Sequence, residues 1–114
     1  MKLLLLLFLF LQGLTGNESD CKAFYEKTLY PISLKGNLIK KEKTDEYYLL
    51  YVKNEEEGGK EVIVRLLKNQ TGKSIFLFAL DNSLISKRKG ETALHVLAPI
   101  SNGFKGRIFP NLCE

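Results

Sequence analysis

Downstream of Ile32, apolar and polar residues alternate with a period of two, in short stretches separated by polar turns. That period sends alternate side chains to opposite faces of an extended chain, so each stretch reads as a strand that buries one face. Ile32, Leu34 and Leu38 alternate with Ser33, Lys35 and Asn37, and Gly36 among them predicts a bend or bulge. Val62, Val64 and Leu66 oppose Glu61, Ile63 and Arg65; in Thr92–Ala98, Leu94 and Val96 oppose His95. Tyr47–Val52 is aromatic and aliphatic throughout, Ser74–Leu80 is apolar at every interior position, and Phe104–Phe109 is a weaker last strand. The Gly, Asn, Asp and Ser residues of turns lie between them, at 54–59, 69–73, 81–82, 87–90 and 101–103.

Strands recurring roughly every 12 to 15 residues predict an antiparallel meander. No segment reads as a helix long enough for parallel crossovers. The expected fold is all-β: a meander that curls into a small barrel or an open half-barrel, or splits into a sandwich. One short helix is expected ahead of it, over Ser19–Tyr30. Ser19 or Asp20 can cap it, Phe24, Tyr25, Thr28 and Leu29 form one stripe, and Pro31 ends it.

Lys2, the apolar run Leu3–Leu11 and the small residues up to Gly16 have the order of a secretory signal peptide. The run is shorter than a membrane span requires. Cleavage after Gly16, or after Gly13, is expected, leaving residues 17–114 as one secreted, extracellular β-rich domain. The two cysteines, Cys21 and Cys113, sit near the ends of that domain. In an oxidising compartment they are expected to form one disulfide, the alternative being two bridges to other molecules. Neither a CxxC motif nor a second histidine is present, so no metal and no cofactor is expected. Asn17 and Asn69 begin N-x-S/T sequons, which makes glycosylation an expectation at both.

The formal charge of +4, from 17 basic and 13 acidic residues, loses one unit with Lys2. So mild a balance requires no specific nucleic-acid partner. Basic residues cluster at Lys40, Lys41 and Lys43, at Lys87, Arg88 and Lys89, and at Lys105 and Arg107. On a common rim they would attract an anionic surface or an acidic protein partner; dispersed, they serve solubility. His95 stands alone, no nucleophile motif accompanies it, and the chain is read as non-enzymatic and monomeric. Glu55-Glu56-Glu57 before Gly58-Gly59 reads as a solvated hairpin tip.

A secreted meander with an N-terminal helix and a terminal disulfide resembles the lipocalins and other calycin barrels over Ile32–Ala98. The resemblance is one of strand pattern, since the Gly-x-Trp of lipocalins has no counterpart in a chain without tryptophan. It implies a cup holding a small hydrophobic ligand. Tyr48, Leu50, Val62, Val64, Phe76 and Phe78 would line that cup, although the same residues also suffice for a plain core. Tyr30-Pro31-Ile32-Ser33 and Arg88-Lys89-Gly90-Glu91 are similar to short stretches of lipid-recognition β-sandwiches, without the internal disulfides of that group. The alternative function is a defence or inhibitor module that binds a protein or polyanion through its basic turns.

Overall fold

The computed structural model describes residues 19–114. The segment expected to be a signal peptide, residues 1–16, and the expected glycosylation site Asn17 lie outside the described residues. A helix over residues 19–28 (α1) precedes strands β1 (Leu34–Lys43) and β2 (Tyr47–Asn54), a 3-10 turn at Glu55–Glu57, and β3 (Lys60–Leu67). A second helix α2 (Gln70–Phe78) then leads to β4 (Leu84–Lys87), β5 (Leu94–Ile100) and β6 (Gly103–Phe109). The strands form one sheet in the order β3-β2-β1-β4-β5-β6, antiparallel at every junction. Two three-stranded meanders are thus fused along β1 and β4, where Leu34–Asn37 pairs with Leu84–Lys87. The expected meander is present, but its sheet is not closed: β3 and β6 are its two edges.

The fold departs from the sequence reading most clearly at Ser74–Leu80, which is not a strand. Gln70–Phe78 is helical, and Asn69 caps it in extended geometry by accepting a 2.7 Å bond from the Gly72 N–H. Topology gives the physical reason. The chain must travel from β3, at one edge, to β4, beside the central β1, and α2 makes that crossing over the inner face of the sheet. At its far end the Lys41 ammonium donates to the Phe76 carbonyl at 2.6 Å and lies 4.8 Å from the Phe76 ring centre. A cation there satisfies an orphan carbonyl and complements the helix dipole. The four-residue β4 is a further strand, lying between segments read only as turns.

Both helices bury their apolar stripes on the same face. Cys21, Tyr25 and Leu29 of the α1 segment, and Ile75 and Ala79 of the α2 segment, meet Leu34, Leu38, Leu50, Val52, Val64, Leu66, Ile85, Leu94 and Val96 from the sheet. Each leucine- or isoleucine-sized side chain so buried stabilises the fold by roughly 1.5–3 kcal/mol relative to exposure. The Tyr25 hydroxyl accepts a 2.8 Å bond from the Leu67 N–H, joining α1 to the end of β3. Burial raises this phenol from 10.0 to about 12, against the lowering effect of that backbone bond. A raised folded-state value means that the unfolded chain loses its proton first. The stabilisation is therefore complete below pH 10.0 and is lost as pH rises towards about 12. Denaturant titrations should show wild type losing about 2–3 kcal/mol across that window. Tyr25→Phe, less stable at neutral pH for want of the bond to Leu67, should show a correspondingly smaller loss.

Cys21 and Cys113 are bonded to one another, with Cα atoms 5.8 Å apart across a sequence separation of 92. The bridge ties α1 to the C-terminal segment, which also meets the start of α2: the Asn69 Nδ2 donates to the Leu112 carbonyl at 2.8 Å, and the Thr71 N–H to the Glu114 backbone oxygen at 3.0 Å. Replacing both cysteines by serine should lower stability by about 2–4 kcal/mol. Hydrogen exchange of the variant should rise first in α1 and residues 110–114, because the sheet ladders do not depend on the bridge.

Candidate functional site

Because both helices pack on the inner face, no layer covers the outer face of the sheet among the described residues. Its two halves differ. Over β1–β3, charge dresses the aromatic residues: the Tyr51 hydroxyl donates to Glu42 at 2.6 Å, the Lys40 ammonium sits 4.4 Å from the Tyr51 ring centre, and the Arg65 guanidinium lies 5.9 Å from Tyr47. The bond to Glu42, with smaller contributions from burial and the charges of Glu42 and Glu61, raises the Tyr51 phenol above its ordinary value.

Over β4–β6 the outer face is largely bare. Register aligns Leu84 with Leu97 and Leu97 with Gly106; Ser86 with His95 and His95 with Ile108; and Pro99 with Phe104. Leu84, Leu97 and Ile108 wall a shallow groove of about 630 Å³ with Ser86 and His95. Gly106 leaves room for it, since a Cβ there would stand 3.3 Å from the Leu97 Cδ1. On this face Leu97 is 37 % exposed, Phe104 65 % and Ile108 57 %. Scattered exposed apolar residues are ordinary, but an aligned set along a sheet is the mark of a contact surface. A second, more polar cleft of about 940 Å³ lies between α1, the β4–β5 connection and the C-terminal segment, lined by Tyr25, Tyr30 and Leu112 together with Lys22, Glu26 and Glu91.

Of the six residues expected to line a cup, Tyr48, Leu50, Val62 and Val64 lie on the inner face of the sheet and Phe76 and Phe78 belong to α2, all in or against one core. Leu50 and Val64 are fully buried, and the Tyr48 ring stacks on Phe76 at 4.7 Å. Val62 and Phe78 are half-buried against the same core, with Phe78 edge-on to Phe109 at 6.1 Å. The Lys68 ammonium covers the Tyr48 ring at 5.6 Å.

The clusters at Lys40–Lys43 and Lys87–Lys89 do not share a rim. Lys87 pairs with Leu34 at the start of β1, whereas Lys40, Lys41 and Lys43 occupy its other end. Lys87 is also withdrawn from the surface. It is 3 % exposed, and its ammonium donates to the Glu91 carbonyl at 2.6 Å and to that of Arg88. Burial pushes its pKa below the ordinary lysine value, opposed by the Glu91 carboxylate. Of that triplet, Arg88 and Lys89 face solvent. Asn69 is half-buried, with both ends of its side-chain amide hydrogen-bonded. Among the described residues no group of three His, Cys, Asp or Glu side chains could hold a metal ion. The sequence reading missed Leu84, Leu97, Phe104 and Ile108 as a surface; the alternation of Phe104 and Ile108 with Lys105 and Arg107 was the available signal. No family model, curated protein or solved structure matches this chain.

Proposed function

We propose that this chain is a secreted, non-enzymatic interaction module that binds a protein partner through the β4–β6 half of its outer sheet face. The observation that carries this reading is the aligned, uncovered set Leu97, Phe104 and Ile108 beside a groove, on a sheet whose other face both helices already cover. The apolar leader and the Cys21–Cys113 bridge support an extracellular setting. Separation of the basic clusters to opposite ends of β1 favours a protein over an extended polyanion. Tyr48, Leu50, Val62 and Val64 of the sheet and Phe76 and Phe78 of α2 are taken up by packing in or against one core, which favours a surface over an internal cup.

The test is capture from extracellular fluid by immobilised protein. Wild type and Arg88→Ala/Lys89→Ala should retain the same partner. Phe104→Ser/Ile108→Ser should lose it by about tenfold or more with an unchanged Tm, because both side chains are already exposed. Capture that instead follows Arg88 and Lys89, and collapses with salt, would replace this reading with polyanion binding.

A second reading keeps the small hydrophobic ligand, and with it a distant relationship to lipocalins as an open half-barrel. The cleft beside Tyr25, Tyr30 and Leu112 favours it by size, being within the usual range for ligand sites. Saturable binding of a fluorescent fatty acid, abolished by Tyr30→Ala, would establish it.

A further inference from the structure

We infer that β6 is an acceptor edge to which the partner adds an extended segment alternating acidic and apolar residues. This inference rests on the outer-face reading and specifies how that face is engaged. Among the described residues β6 has β5 as its single neighbour in the sheet, and residues 103–108 are exposed. A strand at a sheet edge presents a row of N–H and C=O groups without ladder partners, which is the template for strand addition. The side chains divide by face. Register places Arg107 beside Val96 and Lys105 beside Ala98, on the inner side, and Phe104 and Ile108 beside Pro99 and His95, on the outer side. An added strand in register would set one row of its side chains against two cations and the other row against Phe104, Gly106 and Ile108, extending the apolar groove outward.

Charge decides between occupants. A second copy pairing antiparallel about Gly106 would set Lys105 opposite Arg107 twice, and like charges directly opposite are unfavourable. Acidic side chains at those two positions remove the repulsion and replace it with attraction. The opposite edge, β3, carries Lys60, Glu61 and Arg65, a mixture with no such preference.

The test uses a fluorescently labelled octapeptide alternating Glu and Val, its analogue alternating Lys and Val, and two Glu/Val peptides N-methylated on either the Glu or the Val nitrogens. In a strand, alternate N–H groups point to opposite edges, so one methylated peptide loses its bonds to β6 and the other keeps them. Anisotropy titrations at low salt should show the Glu/Val peptide binding in the micromolar range and the Lys/Val peptide at least about tenfold more weakly. One methylated peptide alone should lose about tenfold or more. Lys105→Glu/Arg107→Glu should exchange the preference of the two unmethylated peptides, and Lys105→Gln/Arg107→Gln should remove it. Equal binding of both methylated peptides, an unchanged preference in the charge-exchange variant, or no peptide binding by wild type would each overturn the inference. A concentration-dependent dimer that competes with the peptide would overturn it in favour of a second copy. If wild type binds no peptide while Phe104→Ser/Ile108→Ser still loses the captured protein, strand addition fails and the outer-face reading stands.

Discussion

Gly36→Ala is expected to be among the most damaging single substitutions in the chain. A Cβ on Gly36 would lie 1.7 Å from the Lys53 carbonyl oxygen and 2.7 Å from its carbon, so backbone, not a flexible side chain, would have to move. The site is in the middle of the sheet, where Gly36 faces Asn54 across β2 and Ile85 across β4. Relieving the clash separates β1 from β2 at the start of their ladder and disturbs the seam joining the two meanders. A loss of about 4 kcal/mol or more is expected, at the extreme of single-residue effects. Chemical denaturation of Gly36→Ala, or failure of that variant to accumulate as a folded species beside Lys35→Ala as a control, gives the result.

Asn54→Leu comes next, through a different mechanism at the same seam. The Asn54 side chain is fully buried and makes three bonds: its Oδ1 accepts from the Lys35 N–H at 3.0 Å and the Glu56 N–H at 3.2 Å, and its Nδ2 donates to the Ser33 carbonyl at 2.9 Å. It ties the end of β2 to the entry of β1 and caps the 3-10 turn. Leucine fills a similar volume but strands two donors and one acceptor, and unsatisfied buried groups cost about 1–3 kcal/mol each. Partial rehydration at the turn reduces the sum, and a net loss of about 3–5 kcal/mol of unfolding free energy, measured by chemical denaturation, is expected. Asn54→Asp keeps both acceptor roles but sets a buried carboxylate oxygen against the Ser33 carbonyl, so it too should destabilise the fold. Because Gly36 and Asn54 face each other, the double variant should be less damaging than the sum of the singles.

These two residues also illustrate how far the sequence could be read. Gly36 stood out in an alternating stretch and suggested a bend or bulge. The β1 irregularity in fact falls between Leu38 and Lys40, and Gly36 is required by close strand approach, a long-range fact. Asn54 read as a turn residue, which it is, but its inward side chain depends on where β1 begins. Period-two alternation located β1, β3 and β5 because each buries one face; aromatic and aliphatic content located β2, and β6, exposed over residues 103–108, read only as a weaker strand. It failed at Ser74–Leu80, since an unbroken apolar run has no period to separate strand from helix. Asn69 carries the missing signal as a helix cap, within a stretch whose composition is that of a turn. β4 escaped because four residues between two turns carry too little pattern. The disulfide was legible from compartment and position alone. The basic triplet was not: sequence cannot show that the Lys87 stem turns inward to bond the carbonyls of its own connection, leaving Arg88 and Lys89 outside. The apolar outer surface shows in sequence only as the alternation of Phe104 and Ile108 with Lys105 and Arg107, because which face of β4–β6 the helices cover depends on the crossing made by α2.

The central claim, recognition at the outer face and not within the core, is tested most directly by mapping one probe that is both apolar and anionic. Amide and methyl NMR spectra of the isotope-labelled protein, titrated with an anilinonaphthalene sulfonate, report its site without presuming it. Shifts should cluster on Leu84, Leu97, Phe104, Ile108 and their β5–β6 neighbours, with Leu50, Val64 and the Tyr48–Phe76 stack unmoved. Saturable shifts centred on Tyr48, Leu50, Val64 and Phe76, with the outer face silent, would contradict the claim and restore an internal ligand cup.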